Sequence, residues 1–177
     1  MRLQLLIAFL LIGCQSDTSG RETLISSGLP VLCGNWIQSP DIEICNNMPI
    51  SVRKIVSNLK WWRRLSAIYT YNNLNRSDCQ TPTKIGWIRF SSADRNFLSK
   101  NRWLAYTTVK INNYGNVDYA EIFLKKENNN WVIRHEIGHA YGWQHAPEYR
   151  VNHLMHPSPI GRGTRGLEIY GENTYGI

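Results

Sequence analysis

The stretch from His135 to His145 constrains this chain most, because it places three histidines, a glutamate and a glycine in the order H-E-x-x-H-x-x-G-x-x-H. On an α-helix, residues four apart lie on the same face, so His135 and His139 can direct two ring nitrogens to one point. Gly142 can adopt a positive φ without steric cost, which would end the helix and turn the chain back. His145 would then bring a third nitrogen to the same point. The spacing therefore predicts a metal site with three histidine ligands.

The ligand type and the neighbouring glutamate favour catalytic zinc over a structural site. Catalytic zinc sites have three protein ligands, at about 2.0–2.1 Å for nitrogen, and one open position, whereas structural sites have four protein ligands. Glu136 follows the first ligand, so its carboxylate would lie beside the metal, where it could take a proton from zinc-bound water. All five histidines of the chain lie between His135 and His156. This clustering argues against histidines scattered over the surface and predicts one catalytic zinc ion.

The motif resembles that of the metzincin clan of zinc endopeptidases, whose second signature is a methionine turn after the third histidine. Residues 152–157 read N-H-L-M-H-P and are similar to the A-L-M-Y-P turn of the matrixin branch. The resemblance implies that Met155 lies under the zinc as a hydrophobic floor and is not a ligand. It also implies that Pro157 forms one wall of the pocket for the substrate side chain that follows the cut bond.

Sequence patterns predict the element order strand, helix, four strands, helix. Alternating apolar and polar residues, or clusters of β-branched and aromatic residues, predict five strands, at 41–45, 67–71, 84–90, 103–111 and 117–124. A polar loop is predicted at 72–83, after the second strand. Apolar residues at helical spacing predict a helix over 49–65, and residues 128–130, three asparagines, could cap the zinc helix. The resemblance implies an α+β fold of the metzincin type: a twisted, mixed five-stranded sheet, two long helices and a methionine turn.

In metzincins an antiparallel edge strand lines the cleft and pairs with the substrate backbone. Leu104, Ala105 and Tyr106 stand where that strand belongs, so they are candidates for pairing with a substrate by β-augmentation. The alternative is an ordinary strand whose edge is covered by another part of the chain.

The N-terminal segment predicts export and a lipid anchor. Residues 1–13 contain an apolar run that is shorter than the roughly 20 residues needed to span a bilayer and is typical of a signal peptide. Residues 11–14 read L-I-G-C and resemble the bacterial lipoprotein cleavage box, which implies that Cys14 is lipidated and holds the protein on a bacterial membrane, the outer membrane or cell surface being favoured. Residues 14–28 would be a flexible tether, and residues 29–177 one zinc protease domain. If Cys14 is an incidental cysteine, the protein would be secreted.

Three further cysteines remain if Cys14 carries the lipid. Outside the cytoplasm, Cys33 and Cys45 are predicted to form a disulfide and to leave Cys79 unpaired, with Cys33–Cys79 and Cys45–Cys79 as open alternatives. Residues 30–35 read P-V-L-C-G-N and faintly resemble the P-R-C-G motif with which matrixin pro-segments cap the zinc. A thiolate switch at Cys33 is therefore a further alternative.

The net charge of +7 and a pair of carboxylates bear on other partners. Lysine and arginine are spread along the chain without a nucleic-acid motif, so no nucleic-acid partner is predicted. A basic surface could instead favour anionic lipid, or it could be an ordinary solvated face. Asp118 and Glu121 could bind calcium, but two carboxylates are also ordinary at a solvated strand end. We expect the protein to act as a monomer.

Together these features predict a zinc-dependent endopeptidase that cuts a protein or peptide substrate. Glu136 would activate the zinc-bound water and then pass the proton to the leaving amine, while zinc polarises the scissile carbonyl. Two alternatives are a zinc-binding surface lipoprotein without turnover and a peptidase that acts on cell-wall peptides. Glu136 argues against the first alternative, because a site that only binds metal needs no base.

Overall fold

The computed structural model describes residues 34–65, 67, 69–93, 104–126, 128–146 and 153–157. The predicted signal peptide, the lipidation site Cys14, the tether and Cys33 lie outside these residues. Within the described residues, no helix is long and apolar enough to cross a membrane. The described chain has an α+β fold in which two helices pack on each other and on a mixed sheet.

The elements follow one another as the sequence predicts: strand, helix, four strands, helix. The strands are β1 (Asp41–Cys45), β2 (Leu74–Ser77), β3 (Trp87–Ser92), β4 (Tyr106–Ile111) and β5 (Val117–Leu124). The helices are α1 (Val52–Leu65) and α2 (Asn130–Ala140). Helix α1 begins later than predicted because Ser51 lies at its N-terminal end, where the Ser51 hydroxyl accepts a hydrogen bond from Lys54 N at 3.4 Å.

The sheet has five strands in the order β2-β1-β3-β5-β4. Strands β2, β1, β3 and β5 run parallel to one another, and β4 pairs antiparallel with β5. Strand β4 is therefore an edge strand, and it is also one of the two strands against which α2 packs. This topology places an antiparallel edge beside the helix that carries the predicted metal ligands.

The predicted strand at 67–71 is wrong, and the second strand of the chain lies instead within the segment predicted to be a polar loop. Strand β2 contains no buried residue and is held by backbone pairing with β1, in which Leu74 lies opposite Ile42. Tyr69, which suggested a strand, is buried against Trp62 of α1, with ring centroids 4.9 Å apart. An edge strand needs only the backbone of one neighbour, so its sequence need not alternate strongly.

One hydrophobic core joins the sheet to both helices. Its largest fully buried side chains are Ile42, Ile44, Ile88, Phe90, Ile122 and Leu124 from the strands and Ile55, Leu59, Trp62, Ile133 and Ile137 from the helices. Each such residue stabilises the fold by about 1.5–3 kcal/mol relative to an exposed position. Trp62 also donates from its indole nitrogen to Arg134 O at 3.0 Å, which ties α1 to α2. The core thereby holds α2 firmly over the sheet.

The opposite face of the sheet carries polar groups that bond one another and leave only the Arg89 Nη2 group of the cluster buried without a partner. Arg89 is only 4% exposed, and its Nε donates to Glu43 Oε2 at 2.6 Å. The Arg89 Nη1 group donates to Thr81 O at 2.7 Å, and the Ser77 hydroxyl donates to the second Glu43 oxygen. Because a buried charge is tolerated when it is paired and hydrogen-bonded, this cluster accounts for charged residues inside two interior strands.

The disulfide joins Cys45 to Cys79, with a Cα–Cα distance of 5.4 Å. The predicted Cys33–Cys45 pair and the unpaired Cys79 are therefore wrong, and one of the open alternatives is the observed pairing. Parallel pairing of β1 with β2 places Cys45 opposite Ser77, two residues before Cys79, so the two sulfurs meet where both strands end. A disulfide of this kind typically stabilises a domain by about 2–4 kcal/mol.

Candidate metal centre

Helix α2 begins at one of the predicted capping asparagines. The Asn129 side chain accepts a hydrogen bond from Val132 N at 3.0 Å, which satisfies an amide group that the first helical turn leaves open. The neighbouring Asn128 is buried, accepts from Lys125 N at 2.7 Å and donates to Leu104 O at 3.0 Å. These bonds anchor the start of α2 to the chain just after β5 and just before β4.

Helix α2 ends in a turn centred on Gly142, at the position predicted from the motif. Gly142 has φ +95°, in the left-handed region that favours glycine. Gly142 N donates to His139 O at 2.8 Å, and Trp143 N donates to Gly138 O at 3.0 Å. This pair of bonds forms a Schellman motif, which satisfies carbonyls of the last turn and redirects the chain towards His145.

The segment from Gly34 to Trp36 covers this turn. Trp36 donates from its indole nitrogen to Ala140 O at 2.9 Å and so caps another carbonyl at the helix end. The Gly34 carbonyl oxygen lies so close to Gly142 that a Cβ atom there would collide with it. Gly142 is therefore required twice, for its positive φ and for this close approach of two backbones.

The three predicted ligands converge on one point. The Nε2 atom of His139 lies 3.1 Å from Nε2 of His135 and 3.1 Å from Nε2 of His145, and the third side of the triangle is 3.2 Å. A tetrahedral ion with nitrogen ligands at about 2.0–2.1 Å would separate them by about 3.3–3.4 Å. The triangle therefore fits a single metal ion to within a few tenths of an ångström. Among the described residues, these three side chains form a group whose ligand atoms lie close enough together to hold one metal ion.

Backbone carbonyls orient two of the imidazole rings. Nδ1 of His135 lies 2.8 Å from Leu154 O, and Nδ1 of His139 lies 2.7 Å from Trp143 O. A carbonyl oxygen only accepts, so both Nδ1 atoms carry the proton and the neutral rings present lone pairs at Nε2. Lone pairs that face each other at 3.1 Å repel, and a cation between them turns this repulsion into coordination. Such outer hydrogen bonds are typical of metal-binding histidines.

Burial keeps the three imidazoles neutral. Burial is the main cause that lowers the pKa of His139 to about 4 and of His145 to about 3, the second also through the nearby His139 and His156. Burial and the neighbouring histidines hold the pKa of His135 well below its ordinary value of 6.5. At neutral pH the ligands therefore need not release protons before a metal binds.

The metal-free protein is expected to lose stability as the pH falls from 6.5 to 5. Over this range, the unfolded chain protonates the three histidines while the folded chain does not, so each one lowers the free energy of unfolding by about 1.4 kcal/mol per pH unit. Glu136, whose pKa is raised to about 7 in the folded chain, takes up its proton there first and so raises the free energy of unfolding as the pH falls. This single group offsets about one of the three histidines. Because the unfolded histidines are only half protonated at pH 6.5, their slope is smaller there, and the net expected loss is roughly 3 kcal/mol, measured by urea unfolding of chelator-treated protein. His139→Gln should reduce the slope, and a stability that does not change over this range would contradict the prediction.

The methionine turn packs beneath α2. Met155 and Leu154 are fully buried, and Ala146 N donates to Met155 O at 2.8 Å, which ties the turn to the residue after the third ligand. The Met155 sulfur lies so close to Gly138 that a Cβ atom at that position would overlap it. Because Leu154 O also bonds the His135 ring, the turn both supports the helix and orients a ligand. Pro157, the predicted pocket wall, is half-buried two residues beyond Met155.

Glu136 is buried beside the first ligand, with 6% of its surface exposed. Its Oε2 accepts a hydrogen bond from the Thr107 hydroxyl of β4 at 2.7 Å. Burial raises the pKa of Glu136 to about 7, and the bond from Thr107 opposes part of this rise. A divalent cation at the histidines would lower this pKa again. The carboxyl group is thus suited to taking up and releasing a proton near neutral pH.

The predicted substrate-pairing residues lie at the start of the edge strand. Tyr106 is the first residue of β4 and stacks on Phe123 of β5, with ring centroids 4.3 Å apart. Leu104 and Ala105 precede the strand; Leu104 is 42% exposed and Ala105 is buried. Strand β4 is at the edge of the sheet, as predicted, and pairing with a substrate remains a prediction.

The two acidic residues considered for calcium are engaged separately. Asp118, the second residue of β5, accepts at Oδ1 from the side chain of Asn112 in the preceding turn at 2.9 Å. Glu121 accepts from the Ser91 hydroxyl at 2.7 Å and from Thr83 at 3.3 Å. The two residues are three apart on one strand and therefore point to opposite faces of the sheet. No calcium site follows from this pair.

Sequence reasoning missed several residues that shape the site. Trp36 comes from a distant segment and carries no local signal. Thr107 was expected only as part of the strand at 103–111, and its contact with Glu136 was missed. Trp131 stacks on the ring of His135, with centroids 5.1 Å apart and planes inclined by 28°. Gly138 could have been recognised, since a glycine inside a helix usually marks a close packing contact.

No protein-family model matches the chain, and no curated protein matches it significantly in sequence. The class that the structure itself defines is an α+β domain with a three-histidine group able to hold a metal ion.

Proposed function

We propose that the protein is a zinc-dependent endopeptidase of the metzincin type, closest to the matrixin branch. The observation that carries this proposal is the triangle of three Nε2 atoms, 3.1–3.2 Å apart, with the buried carboxylate of Glu136 on the same helix. The combination joins a metal-binding group to a base, which catalysis needs and simple metal storage does not.

Zinc is the metal that this ligand set suits best. Three neutral imidazoles and an open position match catalytic zinc sites, although imidazole also suits copper, iron and nickel. The described residues place no thiolate or carboxylate ligand in the group, which disfavours iron–sulfur, magnesium and calcium chemistry. His135, His139 and His145 would hold the ion.

The residues of the chain divide the chemistry between them. Bound zinc would polarise the scissile carbonyl and lower the pKa of a water molecule. Glu136 takes the proton from the attacking water and passes it to the leaving amine. The Nδ1 bonds of His135 and His139 keep their Nε2 atoms aimed at one point throughout. The edge of β4, next to α2, is where an extended substrate would add a strand.

The residues packed beneath helix α2 and the disulfide also support the proposal of a metzincin. Met155 is fully buried against α2 and would form the hydrophobic floor that the resemblance implies. Pro157, half-buried two residues later, would form one wall of the substrate pocket. The Cys45–Cys79 disulfide supports an oxidising compartment, in keeping with export and a lipid anchor at Cys14. The substrate would then be a protein or peptide outside the cytoplasm.

The test is cleavage of a broad library of quenched fluorescent peptides by the purified protein. We expect internal cleavage that a zinc chelator abolishes and that about one equivalent of zinc restores. Sequencing of the products would show the residue preferred after the cut bond. Zinc binding without cleavage of peptides or of cell-wall peptides would favour a binding protein. Failure to bind zinc would contradict the proposal as a whole.

A further inference from the structure

The hydroxyl group of Thr107 touches the predicted base at two points. Thr107 Oγ1 lies 2.7 Å from Glu136 Oε2 and 3.1 Å from Glu136 O. Both partners are acceptors, and the hydroxyl has one proton to donate. The shorter distance is typical of an O–H···O bond to a carboxylate, so an ionised Glu136 receives the proton on Oε2.

The bond from the Thr107 hydroxyl holds one oxygen of the Glu136 carboxylate, Oε2, in place. With Oε2 held by Thr107, a rotation of the carboxylate would break this bond. The second contact, 3.1 Å to the Glu136 carbonyl oxygen, keeps the hydroxyl against the backbone of the same residue. Thr107 therefore holds Glu136 at its side chain and at its main chain.

Both sides of this contact are fixed by the fold. Thr107 is the second residue of β4 and pairs in the sheet with Ile122, and its β-branched side chain has few rotamers. Glu136 lies on α2, whose start is capped by Asn129 and whose end is closed at Gly142. The next residue, Thr108, is exposed, because successive strand residues point to opposite faces.

We propose that Thr107 is a positioning residue for Glu136, which holds the base in its productive orientation. This inference rests on the proposed function. It assigns to the edge strand a second task besides any pairing with substrate, namely to restrain the carboxylate of α2. Both hydrogen-bond contacts of the Thr107 hydroxyl are with Glu136, so the hydroxyl acts on the proposed chemistry through that residue.

The first test compares three variants of the full chain, each loaded with zinc. Thr107→Val preserves the shape but removes the hydroxyl, and we expect kcat to fall about tenfold, as for loss of one well-oriented hydrogen bond, with KM and zinc content unchanged. Thr107→Ser restores the hydroxyl and should recover at least half of the wild-type kcat. Thr83→Val makes the same chemical change at a hydroxyl that bonds a different glutamate, Glu121, at 3.3 Å outside the edge strand, and it should have no effect.

The second test needs no turnover and uses the metal-free protein. Thr107→Val and Glu136→Met, alone and combined, form a double-mutant cycle read out as the urea midpoint of unfolding. If the hydroxyl bonds the carboxylate, the double variant will be less destabilised than the sum of the single variants. This arm separates the two proposals: coupling without peptidase activity would retain the positioning contact and count against the enzyme.

Three outcomes would overturn the inference. One is additivity of the two substitutions in the cycle. Another is a Thr107→Val enzyme with wild-type kcat. The third is a Thr107→Ser enzyme as impaired as Thr107→Val, since that would assign the loss to packing and not to the hydroxyl. If Thr107→Val does not fold, Thr107→Ser and the cycle built on Thr107→Ala still decide the question.

Discussion

Glu136→Gln is expected to lower kcat about 10³-fold while about one zinc ion per chain stays bound. Glutamine has nearly the same size and can still accept the bond from Thr107, but it cannot take a proton. Because Glu136 lies beside the ligands and is not one of them, the three imidazoles keep their arrangement. The measurement is single-peptide turnover together with zinc content by mass spectrometry of the metal.

Glu121→Gln provides the matched control for this substitution. Glu121 also accepts a short hydrogen bond from a hydroxyl, that of Ser91 at 2.7 Å, but it projects from the sheet face opposite the buried core. We expect Glu121→Gln to keep wild-type turnover. If Glu136→Gln retained more than about a tenth of the activity, the base would have to be another group, and the proposed chemistry would be wrong.

Gly142→Ala is expected to destabilise the protein by roughly 3–5 kcal/mol and to weaken zinc binding, because two penalties add. The left-handed backbone costs an alanine about 1–2 kcal/mol. The added Cβ would also collide with the Gly34 carbonyl, a backbone atom that cannot turn aside. Relief of this collision requires movement of the turn that carries His145. Urea unfolding and zinc titration would measure the two effects.

Gly115→Ala isolates the collision from the backbone cost. Gly115 has φ +79°, close to that of Gly142, but a Cβ there would meet nothing within 4 Å. Gly115→Ala should therefore cost only about 1–2 kcal/mol and leave zinc affinity unchanged. Equal losses for the two variants would show that the approach of Gly34 to the turn is not tight.

The three-histidine group was largely predictable because its information is local. The helical repeat alone places His135 and His139 on one face, and the start of α2 at Asn129 and the turn at Gly142 follow from short-range capping rules. The bounds of strands β1 and β5 were also predicted from the sequence, because apolar residues recur along each strand at positions that are buried in the fold.

The sequence by itself therefore determined the three-histidine group, the glutamate beside it and the α+β order of elements, because each depends on residues within a turn or a strand of one another. The tertiary structure alone decided which cysteines pair, that β2 forms the sheet edge, and that Trp36 and Gly34 close the turn after α2. It also decided that Thr107 holds Glu136, across a separation of 29 residues. Such contacts depend on how distant segments pack in three dimensions, and packing leaves no fixed spacing in a sequence.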